Sequence, residues 1–175
     1  MSTSLLNRGF GQLGVGFILL ALWGCETTGG LVDEPTYTNP VYKWSVSYPR
    51  GWKVDAADSR SVMFRGEGPR SGILGIHAIP DAGSKSLDDV VNFSLRAYPP
   101  GRYLTVSRRS ITLPNGFSAI EIVHLIGSGT VGKSRKVITI AKGRGFLIDA
   151  ETYLDSWNAA EPYFNRIIDS FAVQN

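Results

Sequence analysis

The chain has 175 residues, of which 43% are hydrophobic and 19% are charged, and its formal net charge is +3 at pH 7. This length predicts a single domain with a sizeable core, and the composition excludes an intrinsically disordered chain. The small net charge gives no indication of nucleic-acid binding, and the single cysteine, Cys25, excludes an intramolecular disulfide.

The N-terminal segment has the three parts of a secretory signal. Residues 1–7 are not strongly apolar, Arg8 supplies a positive charge, and a nearly continuous apolar run extends from Leu13 to Trp23. That run is shorter than the roughly 20 apolar residues that a membrane-spanning helix needs. Residues 1–24 are therefore predicted to be a signal peptide.

The apolar run ends at Leu22-Trp23-Gly24-Cys25, which resembles the lipobox of bacterial lipoproteins. The resemblance implies that Cys25 is lipid-modified, with diacylglyceryl and palmitate as the expected groups, and becomes the new N-terminus. The alternative is a plain signal anchor with an incidental cysteine. Residues 25–40 are small, polar and turn-forming, so we expect a flexible tether. The expected location is the cell envelope, anchored to a membrane and facing the periplasm or the exterior.

The folded domain is predicted to cover residues 41–175. Apolar or alternating runs bounded by Gly, Pro and Asn predict strands over residues 41–48, 61–65, 73–79, 103–113, 117–126, 134–141 and 146–153. Helical periodicity follows Ser86, which can cap a helix that begins with Asp88-Asp89, and returns after about Ser156. The predicted fold class is α+β, with a central antiparallel sheet of about six to seven strands and helices packed on its faces.

One segment, Gly127–Ser134, matches the phosphate-binding P-loop pattern at every required position. In a true P-loop a strand precedes the glycines and a helix follows them, because the phosphate lies at the helix N-terminus. Residues 135–141 are rich in β-branched side chains and predict a strand instead. We therefore interpret the match as a glycine-rich hairpin loop and predict no nucleotide-binding site.

The two histidines, His77 and His124, are weak candidates for metal ligands. Each lies within a predicted strand, and Glu121, Asp149 or Glu151 could complete a site with them. Nothing in their spacing brings these residues together, so hydrogen-bonded sheet histidines are the preferred interpretation. Zinc-protease, serine-elbow and paired-cysteine motifs are all absent from the sequence. The sequence therefore predicts a protein without catalytic residues, metal or cofactor.

Three aromatic residues, Trp44, Tyr48 and Trp52, flank the first predicted turn. Packing in the core is the default interpretation of such large side chains. The alternative is that they form a ligand-binding or partner-binding surface.

The segment from Tyr42 to Trp52 resembles the opening of PsbP-like domains and of the related bacterial DcrB-like lipoproteins, with an aromatic strand, Tyr-Pro, a basic residue, Gly and Trp. Ser86-Leu87-Asp88-Asp89 is similar to the start of that family's first helix, and Phe164–Phe171 resembles its ending. The resemblance extends over about residues 41–172. It implies an α/β/α sandwich and a non-enzymatic accessory or scaffold role. In oxygenic phototrophs, PsbP proteins assist photosystem II, and cyanobacterial members are lipoproteins.

These observations lead to an expected function. The leading hypothesis is a non-catalytic, membrane-anchored envelope lipoprotein that binds a membrane protein complex, with the membrane and a protein as partners and no nucleic acid. Two alternatives stay open. One is a lipoprotein that binds a small molecule or a metal ion, and the other is an extrinsic or assembly factor of photosystem II if the source is an oxygenic phototroph.

Overall fold

The computed structural model describes residues 34–68, 71–99, 101–127 and 131–175. The predicted signal peptide, Cys25 and most of the predicted tether lie outside these residues. The described part contains ten strands and two helices, in the order β1 Thr36–Asn39, β2 Trp44–Ser47, β3 Lys53–Ala56, β4 Ser61–Gly66, β5 Gly72–Ile79, α1 Leu87–Leu95, β6 Tyr103–Thr112, β7 Ser118–Ile126, β8 Gly132–Ala141, β9 Arg144–Tyr153, α2 Trp157–Asp169 and β10 Ala172–Val173.

The main sheet has seven antiparallel strands in the order β3-β4-β5-β9-β8-β7-β6. A two-residue turn joins β8 to β9. Between β8 and β9, Lys142 and Gly143 both have positive φ angles, of 53° and 72°. Such angles suit a tight two-residue hairpin turn, whose twist matches that of the flanking strands. The predicted antiparallel sheet is thus confirmed.

A smaller sheet has the order β1-β2-β10, and of its three strands only β2 was predicted, within the strand expected over residues 41–48. Its first strand, Thr36–Asn39, falls within the segment predicted to be a tether. Asn39 is buried, and its side-chain oxygen accepts hydrogen bonds from the backbone N–H groups of Val41 and Tyr42 at 3.0 and 2.8 Å. The folded part therefore begins before Val41, because β1 pairs with β2 and Asn39 closes the turn between them.

The two helices pack on opposite faces of the main sheet. On what we call the α2 face, Phe164 and Ile167 of α2 pack with Ile76 and Ile148 in the larger core cluster. On the α1 face, α1 contributes Val90 and Val91 to a separate cluster, which also contains Ile122, Ile138 and Leu147. Neither helix of the described part is long and apolar enough to cross a membrane.

The predicted sandwich overstates the helices. α1 has only 9 residues and α2 has 13, beside seven strands in the main sheet. The fold is mostly β, and a single helix on each face leaves part of that face without helical cover. These uncovered regions are where the candidate sites lie.

Candidate functional site

A buried ion pair occupies the α1 face of the sheet. Lys136 of β8 and Asp149 of β9 are directly opposite each other, and Lys136 Nζ lies 2.5 Å from Asp149 Oδ2. Lys136 has no exposed surface, and the Asp149 side chain is 14% exposed. A charge removed from water in this way requires a partner and further hydrogen bonds.

Two neighbours complete what we call the polar cluster, defined as Tyr98, Ser134, Lys136 and Asp149. Ser134 Oγ donates to Asp149 Oδ1 at 2.9 Å and accepts from Lys136 Nζ at 3.0 Å. The Tyr98 hydroxyl donates to Asp149 Oδ2 at 2.8 Å, and the Tyr98 ring centroid lies 3.8 Å from Lys136 Nζ. Each carboxylate oxygen thus accepts a hydrogen bond, and the ammonium group contacts an aromatic face.

The pKa values around this cluster are displaced from their ordinary range. Burial lowers the pKa of Lys136, although Asp149 opposes the effect. Burial and then the charge of Asp149 raise the pKa of Tyr98, so its hydroxyl stays protonated and donates. The same two causes raise the pKa of the Glu151 carboxyl. Displaced pKa values in one region indicate a candidate functional site, although buried structural networks produce them too.

The two histidines lie on the same face as the cluster but apart from each other. His77 Nδ1 is 3.1 Å from Ser61 Oγ, and His124 Nδ1 is 3.1 Å from Thr105 Oγ1. Strands β8 and β9 lie between their strands, β7 and β5. Burial lowers the pKa of both imidazoles. Within the described residues, no group of three or more His, Cys, Asp or Glu side chains is placed to hold a metal ion.

A second site is a groove on the α2 face between α2 and the uncovered strands β6 and β7. Its floor is Glu121, which is 3% exposed, and Arg109 Nε and Arg135 Nε each lie 2.6 Å from one of its oxygens. Arg135 also donates to the side-chain oxygen of Asn165 on α2. This groove, the α2 groove, has a volume of about 600 Å³. The ion network fixes the position of both guanidinium groups.

Strand β6 forms one edge of the main sheet and borders the α2 groove. Most of its ten residues are exposed, including Leu104 at 65% and Val106 at 52%. The register with β7 shifts between Thr105 and Ser107, which makes Val106 the extra residue of a β-bulge. Beyond the bulge, Ser107–Thr112 pairs on one side only within the described part of the sheet.

The alternative of a binding surface formed by Trp44, Tyr48 and Trp52 does not fit the burial of the two tryptophans. Trp44 has no exposed surface, and Trp52 is 7% exposed. The Trp44 ring packs against Tyr37 at 5.3 Å between centroids, and the half-buried Tyr48 packs against Phe64 at 5.3 Å. The two indoles fill the core, in agreement with the default interpretation of core packing, and so they are not available to contact a partner.

The P-loop match ends in strand β8, which begins at Gly132. Residues 128–130 lie outside the described residues. Lys133 and Ser134 are adjacent on a strand and therefore point to opposite faces. Lys133 Nζ lies 4.3 Å from the Trp157 ring on the α2 face, whereas Ser134 belongs to the polar cluster on the α1 face. These two side chains cannot converge on one phosphate in this conformation.

The polar cluster was not predicted from the sequence. On the predicted strand over residues 134–141, however, alternation places Lys136 on one face with Ile138 and Ile140. A charge among apolar residues on one face is a signal that it needs a buried partner. The Arg109–Glu121–Arg135 network was also missed, since its members come from three strands.

No protein-family model and no curated protein matches the sequence. The fold nevertheless has solved relatives. The cyanobacterial PsbP protein (CyanoP) from Synechocystis sp. PCC 6803 superposes with a TM-score of 0.57 at 20% identity, and the match covers 87% of this chain and 99% of that one. A Bacteroides thetaiotaomicron protein gives a TM-score of 0.57 at 12% identity, with 81% and 49% covered. The protein of unknown function PA94 from Pseudomonas aeruginosa gives 0.54 at 14% identity, with 81% and 98% covered.

These similarities show that the chain has a PsbP-like fold. They confirm, at the level of the fold, the resemblance that the opening and closing segments indicate.

Proposed function

We propose that this protein is a non-catalytic accessory protein of the cell envelope, held at a membrane by lipid on Cys25, which binds a partner protein along β6. The N-terminal sequence pattern supports the membrane anchor, and the PsbP-like fold is compatible with an accessory role. The observation that supports a partner-binding site is the long, exposed edge strand β6 beside the α2 groove.

Edge strands present unpaired backbone N–H and C=O groups, and a partner segment in extended conformation can add to such an edge. The six residues Ser107–Thr112 are long enough for this pairing. Leu104 and Val106 are exposed apolar side chains just before them, and they would anchor the partner segment. We therefore assign the occupant of this edge as an extended segment of another protein.

The alternatives have less support. The polar cluster is satisfied by its own hydrogen bonds, so it offers no open donor set for a metal ion. A role as a photosystem II factor would require an oxygenic phototroph as the source, and the similarity to CyanoP concerns the fold alone. A small-molecule site is better placed in a separate cavity lined by Ile73, Val131 and Tyr153, away from the polar cluster.

The experiment is a pulldown of the full-length protein from native membranes after crosslinking. We would compare the wild type with Cys25→Ser, with the double variant Leu104→Asp/Val106→Asp, and with Val41→Asp. Val41 is 60% exposed and lies in the turn before β2. Val41→Asp therefore also replaces an exposed apolar side chain with a carboxylate, but at a position outside β6.

We expect the same partner with the wild type and Val41→Asp, and its loss with the β6 double variant and with Cys25→Ser. Recovery of that partner by the β6 double variant would remove β6 as the docking site. Failure to recover any specific partner with the wild type would contradict the accessory function itself.

A further inference from the structure

A second cavity, of about 630 Å³, opens on the α1 face at the end of the main sheet beyond the polar cluster. We call it the end cavity. Its apolar lining comes from Ile73, Ile126, Val131 and Tyr153, and its charged lining residues are Lys53, Arg65, Glu67, Arg102 and Glu151. Cavities of about 300–1,000 Å³ that are mostly apolar with a few polar groups are typical of small-molecule sites.

The apolar residues of this cavity are unusually exposed. Ile73 is 38%, Val131 60% and Tyr153 68% exposed. They are three of the eight large apolar side chains that are exposed in the described part of the chain. Exposed apolar surface that is gathered in one concave place and bordered by charge indicates a binding site more strongly than scattered residues do.

Arg65 and Arg102 are the cations of the cavity that are available to a ligand, because Lys53 already forms an ion pair with Glu67 at 2.5 Å. Arg65 donates to Met63 Sδ at 3.6 Å, and Arg102 lies 5.9 Å from the Tyr103 ring centroid. Neither guanidinium has a carboxylate oxygen within 4.0 Å among the described residues.

Glu151 is the carboxyl group of the cavity nearest to the polar cluster, since it lies beside Ser134 and Ile73 in the sheet register. Burial and Asp149 raise its pKa, and the charges of Lys136 and Arg102 act in the opposite direction. The three basic lining residues, Lys53, Arg65 and Arg102, outnumber the two acidic ones, Glu67 and Glu151, so the cavity combines an apolar floor with a net positive charge.

We propose that the end cavity binds a single-chain anionic amphiphile. The acyl chain lies against Ile73, Val131 and Tyr153. The carboxylate of the ligand accepts hydrogen bonds from Arg65 and Arg102, because guanidinium groups match carboxylates in geometry and charge. The concave shape favours one enclosed molecule over the flat surface of a bilayer. This inference does not depend on the partner site, since the end cavity shares no lining residue with β6 or the α2 groove.

The test uses a chain that begins at Glu34, since the described residues from Glu34 onward contain both core clusters. Isothermal titration with laurate below its micelle concentration is compared with butyrate, which has the charge without the chain, and with dodecyl maltoside, which has the chain without the charge. The variants are Arg65→Gln/Arg102→Gln and the matched control Arg60→Gln, an exposed arginine outside the cavity.

We expect saturable one-to-one binding of laurate and much weaker binding of the two controls. In the double variant we expect a loss of affinity of about tenfold or more, because both charge-assisted hydrogen bonds to the carboxylate are removed. Arg60→Gln should bind as the wild type does. Circular dichroism and thermal melting confirm that each variant is folded.

Three results would overturn the proposal. One is the absence of saturable laurate binding, and another is equal affinity in the wild type and the double variant. The third is binding to anionic phospholipid vesicles without binding of monomeric laurate, which would assign the exposed residues to a membrane surface.

Discussion

Lys136 and Asp149 are paired across β8 and β9, and the lysine ammonium group donates to the carboxylate at 2.5 Å with no surface open to solvent. Removing both charges from water is unfavourable, and the hydrogen bonds from Ser134 and Tyr98 offset part of that loss. The pair also joins Tyr98, which follows α1, to the centre of the sheet. It therefore fixes how the α1 segment sits on this face.

The first prediction concerns the loss of one partner. Lys136→Met keeps the length of the side chain but leaves Asp149 buried without its cation. We expect the free energy of unfolding to fall by about 3–5 kcal/mol. Adding Asp149→Asn should recover part of this loss, because the amide oxygen still accepts from Tyr98. Urea denaturation measures both variants.

The matched control is Lys53→Met, which breaks an exposed ion pair with Glu67 whose side chains are 71% and 69% exposed. Exposed pairs contribute little to stability because water and salt screen them, so Lys53→Met should change the free energy of unfolding far less than Lys136→Met does. If Lys136→Met were no more harmful than Lys53→Met, the polar cluster would not hold the sheet and α1 segment together as described.

The second prediction concerns the close approach of β9 to the turn after β5. A Cβ atom on Gly145 would lie 2.5 Å from Ala82 Cβ and 3.1 Å from Ile79 Cβ. Gly145→Ala should lower the free energy of unfolding by about 1–3 kcal/mol, as overpacked core substitutions do. Ala82→Gly added to it removes the closest contact and should restore part of the stability. An equal loss in the single and double variants would show that another contact limits the space.

The third prediction concerns the start of α1. Ser86 Oγ accepts from the backbone N–H of Asp89 at 3.2 Å, which is the predicted N-cap. Ser86→Ala should lower the free energy of unfolding by about 0.5–2 kcal/mol. Ser86→Asp should retain most of the stability, since aspartate is also a good cap. Thermal denaturation distinguishes the two, and an unstable Ser86→Asp variant would contradict capping as the cause.

The parts of the fold that follow from local patterns were predictable from the sequence. The strands of the meander alternate, the turn residues between them are local, and the N-cap is visible three residues before Asp89. β1 and β10 were not predicted because they have four and two residues and depend on pairing with β2, which is distant along the chain from β10.

The polar cluster was only partly accessible from the sequence. A two-residue turn at Lys142-Gly143 places Ala141 opposite Arg144, and the same register brings Lys136 opposite Asp149. That pair could have been derived. The position of Tyr98 over Lys136 could not, because it depends on how α1 packs. For Trp44 and Trp52 the sequence leaves two interpretations open. Aromatic residues beside a turn can form a binding surface or fill a core, and only their packing partners distinguish the two.

The fourth prediction is a loss of stability in mild acid. Burial lowers the pKa of His77 and His124 below the ordinary value of 6.5. The unfolded chain therefore binds protons more readily than the folded protein as the pH falls through 6.5. The stability that the neutral imidazoles contribute is complete above that pH, and it is lost as the pH falls towards their folded pKa values. Urea denaturation at pH 7.5 and 5.5 should show a lower free energy of unfolding at pH 5.5.

Glu151 acts in the opposite direction as the pH falls. Its folded pKa is raised above the ordinary value of 4.5, so the folded protein gains its proton first as the pH falls. Glu151→Gln should therefore enlarge the loss at pH 5.5, whereas His77→Gln/His124→Gln should reduce it. Titration of the imidazole signals by NMR measures the two histidine pKa values directly. Values at or above 6.5 would mean that burial does not disfavour the charged rings, and the acid sensitivity would then need a different source.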